Sequence, residues 1–336
     1  MSKTIKTIAL TIGDPNGIGP EIAVKAAVRL RGDSALRIIL VGDEHVIRHY
    51  GARCADDSTF HDFASSPPKD AILIHPVEAL PRACFRPGKI EAAAGRATVD
   101  YVESAISLIR EGVVDAIVGC PHNETAVNAS GFSFSGYPSL IARLTRTPED
   151  KVFMMLVGGG LRILHATLHE RIHHALARLT PDLIEEAGLA CAATLKQLGV
   201  PSPRIGVFGI NPHAGENGLF GDDDDRITAP AVARLRSAGV LAEGPIGADI
   251  ILGRKDIDGF VAIYHDQGHI PVKLLAGRNA SALSVGAGVL FSSVGHGSAF
   301  DIAGQNKADP AAVLRTLHVI GNVPATAPRA MPAGAT

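Results

Sequence analysis

Ile5-Lys6-Thr7-Ile8-Ala9-Leu10-Thr11-Ile12, running into Gly13-Asp14-Pro15-Asn16-Gly17-Ile18-Gly19-Pro20-Glu21, is the stretch whose reading decides the fold. Apolar and β-branched residues fill the first run, as in a strand. Pro20 then opens a helix from Gly19 to Leu30, because proline is tolerated in a first helical turn. Arg37 to Val41 reads as the next strand. Strand, glycine turn, helix and strand make a βαβ unit, which implies parallel strands in a sheet covered on both faces.

The rhythm continues outward from there. After a polar stretch near Ser58 to Lys69, Ala71 to Ile74 reads as a strand, Glu91 to Arg110 as a long helix and Asp115 to Val118 as a strand. The middle departs from the pattern. Val152 to Val157 and Leu161 to Thr167, joined by Gly158-Gly159-Gly160, predict an antiparallel hairpin. Beyond it come a helix over Pro181 to Leu198, a strand over Arg204 to Phe208 and a helix near Ala229 to Ala238. Then follow a strand over Gly259 to Tyr264, a glycine-rich stretch from Gly277 to Gly297 and a helix over Pro310 to Ile320. The expectation is a two-lobed α/β/α fold with a mixed, mostly parallel sheet. It forms a single catalytic unit over 1–325: lobe A at about 1–125 plus 270–325, lobe B at about 126–269, with a flexible tail over 326–336.

Composition narrows the function. In 336 residues, 32 Lys and Arg nearly balance 34 Asp and Glu, so no strong field favours nucleic acid or an anionic membrane. With 36 glycines and no tryptophan, the chain suits tight strand–helix turns better than an aromatic platform for bases. Cys54, Cys84, Cys120 and Cys191 form no CxxC pair, which argues against a zinc knuckle or disulfide framework and for a reducing cytoplasm. The start, Met1-Ser2-Lys3-Thr4, lacks the features of a signal peptide, and no apolar stretch reaches the length of a membrane span.

Three histidines carry the sharpest chemical signal. His169 closes the run from Leu161, His213 lies in Asn211-Pro212-His213-Ala214-Gly215, and His265 begins His265-Asp266-Gln267-Gly268. Each sits where a strand hands over to a loop, the edge at which α/β sheets place ligands. Three imidazoles meeting there would hold a divalent metal with positions left open for substrate and water. A single histidine is more often a surface or core residue, so the argument rests on the three together. His165 shares a strand face with His169 and could support it, whereas His173 and His174 read as solvated.

Two loops are candidates for a nucleotide. In Gly295-His296-Gly297-Ser298-Ala299-Phe300-Asp301-Ile302-Ala303-Gly304, small residues let the backbone approach a ligand, His296 can stack and Asp301 can accept from ribose hydroxyls. A plain glycine-rich turn is the equal alternative. The loop headed by Gly13 and Asp14 offers a helix start to an anion, yet it is neither GxGxxG nor a P-loop. Asp266, Asp249 and Lys273 are candidate proton-handling groups. The run Asp222 to Asp225 reads as a solvated turn.

Together, Gly13 to Glu21, Asn211-Pro212-His213-Ala214-Gly215-Glu216 and Tyr264-His265-Asp266-Gln267-Gly268 resemble the 4-hydroxythreonine-4-phosphate dehydrogenase family of vitamin B6 biosynthesis, from about residue 7 to 320. The resemblance implies the isocitrate/isopropylmalate dehydrogenase type of fold and a homodimer with active sites close to the partner subunit. It also implies metal ligation by His169, His213 and His265. On the same ground His296, Gly297, Ser298, Ala299 and Asp301 are expected to bind the adenosine of a dinucleotide. The chain departs from the family where substrate phosphate is held. A His-Thr pair is replaced by Tyr137-Pro138, a lysine by Glu124, and an Asn and an Arg by Ala282 and Phe291. Phe cannot imitate a bidentate arginine, which disfavours a phosphorylated substrate.

The variant segments, among them Cys120 to Ala126, Phe134 to Leu140 and His265 to Pro271, are instead similar to the branch of that family acting on terephthalate cis-dihydrodiol. That similarity implies NAD-dependent, metal-dependent oxidation of 1,2-dihydroxy-3,5-cyclohexadiene-1,4-dicarboxylate to 3,4-dihydroxybenzoate, carbon dioxide and NADH. Zinc is the expected metal, with iron and manganese as alternatives. Tyr137, Ser139 and Ser281 are the expected contacts to the remote carboxylate. The rival expectation is a dehydrogenase of a phosphorylated hydroxy acid such as 4-hydroxythreonine 4-phosphate or phosphothreonate.

Overall fold

The computed structural model describes residues 5–134, 136–277 and 280–321. The tail expected over 326–336, the first four residues and Ser135 lie outside the described residues. The chain forms two compact units, one within 1–133 and 296–336, the other within 134–295.

In the first unit the opening strand is β1 (Lys6–Thr11), followed by α1 (Gly19–Arg29), β2 (Leu36–Gly42), α2 (Glu44–Gly51), β3 (Phe60–Asp62) and β4 (Ile72–Pro76). Then come α3 (Ala92–Arg110), β5 (Ala116–Gly119) and α4 (Glu124–Ala129). The five strands are all parallel, in the order β3-β4-β2-β1-β5. Ile8, Ala9 and Leu10 of the inner strand β1 are fully buried, as expected of a parallel strand covered on both faces. The polar stretch 58–69 hides β3, which is too short for an alternating pattern to register.

The second unit holds α5 (Tyr137–Thr145), β6 (Phe153–Gly158), β7 (Leu161–His165), α6 (Ile172–Ala177), α7 (Pro181–Gln197), β8 (Arg204–Phe208) and α8 (Ala229–Ser237). It continues through β9 (Leu241–Ile246), α9 (Ala248–Ile251), β10 (Gly259–Ala262), α10 (His265–Ala276), β11 (Ser281–Val285) and β12 (Phe291–Ser293). The strand order is β12-β11-β6-β7-β10-β8-β9. Pairs from β12 to β7 are antiparallel and those from β7 to β9 parallel, so the sheet is mixed. The β6–β7 hairpin forms as expected. Gly159 (φ +60°) and Gly160 (φ +82°) supply the two left-handed turn residues that match the twist of the strands. Finally α11 (Ala311–Ile320) returns to the first unit, against α1 and β5.

Two expectations are corrected. The stretch 277–297 is not merely a glycine-rich connection, because β11 and β12 run through it and β11 pairs with β6. His265 does not begin a loop but heads α10, a helix of 12 residues that tolerates Pro271 in its interior.

Helices α3 and α4 approach closely only because residue 95 is glycine. A Cβ there would lie 2.1 Å from backbone atoms of Ala126. Gly95→Ala should therefore force the two helices apart and destabilise the fold by about 1–3 kcal/mol. A lower calorimetric Tm with helix content otherwise retained is the expected result.

Candidate active site

Strands β7, β10 and β8 are neighbours and parallel, so their C-terminal ends share one edge. The chains stay tied beyond that edge. Ala166 N–H and Thr167 N–H donate to the carbonyls of Ala262 and Ile263, and Thr167 Oγ1 donates to Ile263 O at 2.8 Å. Gln267 accepts from Ile263 N–H at 2.9 Å through Oε1 and donates through Nε2 to Gly209 O at 3.0 Å, just past β8. The segments carrying His169, His265 and His213 thus leave the sheet side by side.

Two of the three imidazoles stand together. The rings of His169 and His265 are 5.5 Å apart between centroids. Two imidazoles bound to one tetrahedral ion through metal–nitrogen bonds of ~2 Å have centroids roughly 5 Å apart, so this pair fits a shared cation. Asp266 Oδ1 lies 2.7 Å from His265 Nδ1 and, as a carboxylate, can only accept. The proton therefore sits on Nδ1 and leaves the Nε2 lone pair available. Burial first, then the neighbouring His265, lowers the pKa of His169 and favours the neutral, ligating form.

His213 is placed differently. Its side chain is 67% exposed, with Phe220 5.9 Å away between ring centroids and Glu216 Oε2 3.6 Å from Nδ1. Among the described residues no group of three or more His, Cys, Asp or Glu could hold a metal ion. His213 (φ +52°), Ala214 (+53°), Glu216 (+45°) and Asn217 (+53°) are all left-handed. Such residues cost on the order of 1–3 kcal/mol each and persist only when their surroundings fix them. Asp224 does so: it accepts from Ile210 and Asn211 N–H at 2.8 and 2.9 Å and from Thr228 Oγ1 at 2.6 Å. The solvated turn expected over 222–225 is corrected here, since Asp224 is buried and anchors the His213 loop.

Beneath the pair lie His165, read from the sequence as a possible support for His169, and His269, which the sequence did not single out. His165 is buried and its Nδ1 lies 3.1 Å from Met154 O. Its Nε2 lies 3.0 Å from His269 Nδ1, and the ring of His269 stacks on that of His265 at 3.7 Å and 11°. Desolvation is the leading cause that pushes His165 down to about 3 and His269 to about 4. The available signal was the i, i+4 spacing of His265 and His269 on what proves to be a helix.

An open pocket of about 840 Å³ adjoins the pair, lined in part by Thr167, His169, Glu170, Arg171, His265 and Asp266. Arg171, not singled out from the sequence, is exposed and its guanidinium makes no hydrogen bond or ion pair among the described residues. A second pocket, of about 260 Å³, is shared by Ser139, His165, Thr167 and His169. Tyr137 is buried, its ring 4.6 Å from Phe291 and 5.9 Å from Phe134, and Ser281 is buried in β11. Lys273, two turns along α10 from His265, and Asp249, in the first turn of α9, are both exposed, and neither forms a hydrogen bond or ion pair among the described residues.

In the first unit the two candidate nucleotide loops pack on each other. Ile18 N–H donates to Ser298 O at 2.9 Å. A Cβ at Gly17 would lie 2.8 Å from Ser298 Cβ, and one at Gly13 (φ +69°) 2.2 Å from Pro121 O. Glycine at 13 and 17 thus permits these close backbone approaches. Glu21 accepts from Lys25 Nζ and from Ala308 N–H, both at 2.8 Å, and so holds the chain that follows the 296–304 loop. His296 is exposed, its Nδ1 3.3 Å from Gly297 O, Ala299 is left-handed (φ +38°) and Asp301 is exposed. Asp14 Oδ2 and Ser298 Oγ are buried without a hydrogen-bond partner, as are Glu21 Oε2 and Tyr50 Oη in the same unit. They suit an incoming polar group.

Burial raises Asp14 from 3.8 to about 7, against the N–H groups of Asn16 and Gly17. A raised carboxyl pKa stabilises the fold fully below about pH 4, and that contribution is lost as pH rises through about 7. Urea unfolding across this window should show wild type losing on the order of a few kcal/mol relative to Asp14→Asn. Parallel curves for the two proteins would contradict this.

Residues 34–320 match the family described as pyridoxal phosphate biosynthetic protein PdxA. The chain is 47% identical to a 1,2-dihydroxy-3,5-cyclohexadiene-1,4-dicarboxylate dehydrogenase of Comamonas sp, across 95% of this chain and 98% of that protein. It is similar to the crystal structure of a terephthalate 1,2-cis-dihydrodiol dehydrogenase from Burkholderia xenovorans LB400, at 52% identity and a TM-score of 0.82, over 95% of this chain and 98% of that one. A D-threonate 4-phosphate dehydrogenase of Cupriavidus necator is 39% identical over 94% of this chain and 97% of its own length. The chain belongs to the PdxA family.

Proposed function

We propose that the chain oxidises terephthalate cis-dihydrodiol with NAD and a divalent metal, releasing carbon dioxide, NADH and 3,4-dihydroxybenzoate. The observation that carries this is the His169–His265 pair beside a pocket of about 840 Å³, in a chain 47% identical to a protein named for that diol. The pocket volume falls within the range of small-molecule sites. His169 and His265 would hold the metal, zinc before iron or manganese, with His213 as third donor from the neighbouring loop. When bound, the metal would supply Lewis acidity toward the secondary alcohol and NAD a hydride acceptor, chemistry that suits oxidation to a β-keto acid prone to lose carbon dioxide and become aromatic.

The chain's own residues have distinct tasks. Asp266 keeps the His265 proton on Nδ1. Lys273 and Asp249 are assigned to proton traffic and orientation. Ser139, Tyr137 and Ser281 are assigned to the remote carboxylate, and the planar, bidentate guanidinium of Arg171 is well suited to a substrate carboxylate. Gly13, Asp14, His296, Gly297, Ser298, Ala299 and Asp301 take the nucleotide, a role supported by the unpartnered oxygens of Asp14 and Ser298. The working form is a cytoplasmic homodimer with its active site near the partner subunit. The free thiols of Cys54, Cys84 and Cys191 suit a reducing compartment. None of the helices among the described residues is long and apolar enough to cross a membrane.

A phosphorylated hydroxy acid is the second reading, favoured by the threonate-phosphate relative. Against it stands the buried Tyr137–Phe291 contact, which joins two positions where family members hold phosphate and carries no cation.

Mixing enzyme, zinc and NAD with the dicarboxylate diol should produce NADH and 3,4-dihydroxybenzoate in equal amounts. Turnover of phosphothreonate but not of the diol would reverse the choice of substrate. His169→Ala and His265→Ala should each lower kcat/KM by roughly 100-fold or more and strip the zinc. Arg171→Leu should raise the KM for the diol by about tenfold with a smaller change in kcat, measured by steady-state kinetics.

A further inference from the structure

We propose that His165 and His269 form a two-imidazole brace that fixes the ring plane of His265. The brace rests on taking His169 and His265 as metal donors, and it assigns a positioning role to two residues outside that donor set.

A proton count supports it. Met154 O can only accept, so His165 Nδ1, 3.1 Å away, carries a hydrogen. His165 is 1% exposed, and a second proton on its ring would be a buried charge facing no carboxylate. Its Nε2 is therefore bare and accepts from His269 Nδ1–H at 3.0 Å. A hydrogen bond thus fixes the azimuth of the His269 ring from one side. That ring lies against His265 with centroids 3.7 Å apart and planes within 11° of parallel, so it limits rotation of His265 about its own side-chain bonds. Asp266 holds the opposite handle, His265 Nδ1.

The backbone is built around this contact. Met154 and His165 are register partners across the β6–β7 hairpin, which sets the first hydrogen bond by strand pairing. His269 follows His265 by four residues on α10, which stacks the two rings on one helix face. Gly268 leaves the space: a Cβ there would lie 2.3 Å from His165 Nε2.

Metal ligands whose outer partners are lost typically drop 10–100-fold in affinity. The apparent zinc Kd of the metal-free protein, by competition with a chromophoric chelator, should rise 10–100-fold in His165→Leu and in His269→Leu. The double variant should be little worse than either single one, because the two act as one chain. Ring resonances of carbon- and nitrogen-labelled histidine in the metal-free wild type should report a single Nδ1–H tautomer for His165, His269 and His265, and a mobile, averaged His265 ring in His269→Leu. Zinc affinity within twofold of wild type in both single variants, while His265→Ala abolishes binding, overturns the brace and leaves the metal donors intact. An Nε2–H tautomer at His165 or His269 in the wild type overturns it without any variant needing to fold. If His265→Ala binds zinc normally, the metal donors are wrong, and the loss of ring order at His265 in His269→Leu alone then decides the brace.

Discussion

Parallel pairing of β7 with β10, continued past both strand ends by Thr167, is the constraint on which the histidine site depends. Backbone N–H groups of Ala166 and Thr167 follow the carbonyls of Ala262 and Ile263, and the Thr167 hydroxyl doubles the last of these bonds. Register leaves no freedom to slide, because a one-residue slip would turn His165 from the packed face of the sheet to the other. Gln267 extends the same discipline to β8 by bonding Ile263 and Gly209 at once. Side-chain chemistry at this edge is therefore inherited from main-chain geometry.

The first unit shows the converse arrangement. Its Gly13–Glu21 segment spends most of its polar groups on its own neighbours. Asp14 accepts from Asn16, Asn16 bonds Arg86 and Cys84, and Glu21 bonds Lys25 and Ala308. What remains unsatisfied is confined to a few atoms, notably Asp14 Oδ2 and Ser298 Oγ. A buried oxygen without a partner is costly, and such a cost tends to persist where a ligand relieves it.

Much of the fold was legible because long elements declare their period. Strands β1, β2 and β8 and helices α1, α3 and α7 fall within a residue or two of where apolar spacing, Pro20 and Pro181 put them. What escaped was short or contradictory. His265-Asp266-Gln267-Gly268 followed by Pro271 looks like a loop, since glycine and proline normally break helices, yet packing holds it as α10. Four consecutive aspartates look solvated, and only tertiary structure singles out Asp224 as a buried anchor. The histidines of the site were visible as residue types at strand ends. Which of them touch depends on side-chain direction, and that is why His269 went unnoticed and His213 stands apart from the pair.

The close approach of Gly268 to His165 bears on how such a site can diverge. With the imidazole held from both sides it has nowhere to retreat, so a methyl group at 268 meets both it and Ile163. An alanine at 268 becomes acceptable only in a lineage that has already shortened residue 165. Replacement at 268 is thus coupled to the side chains at 165 and 163, which must give way first.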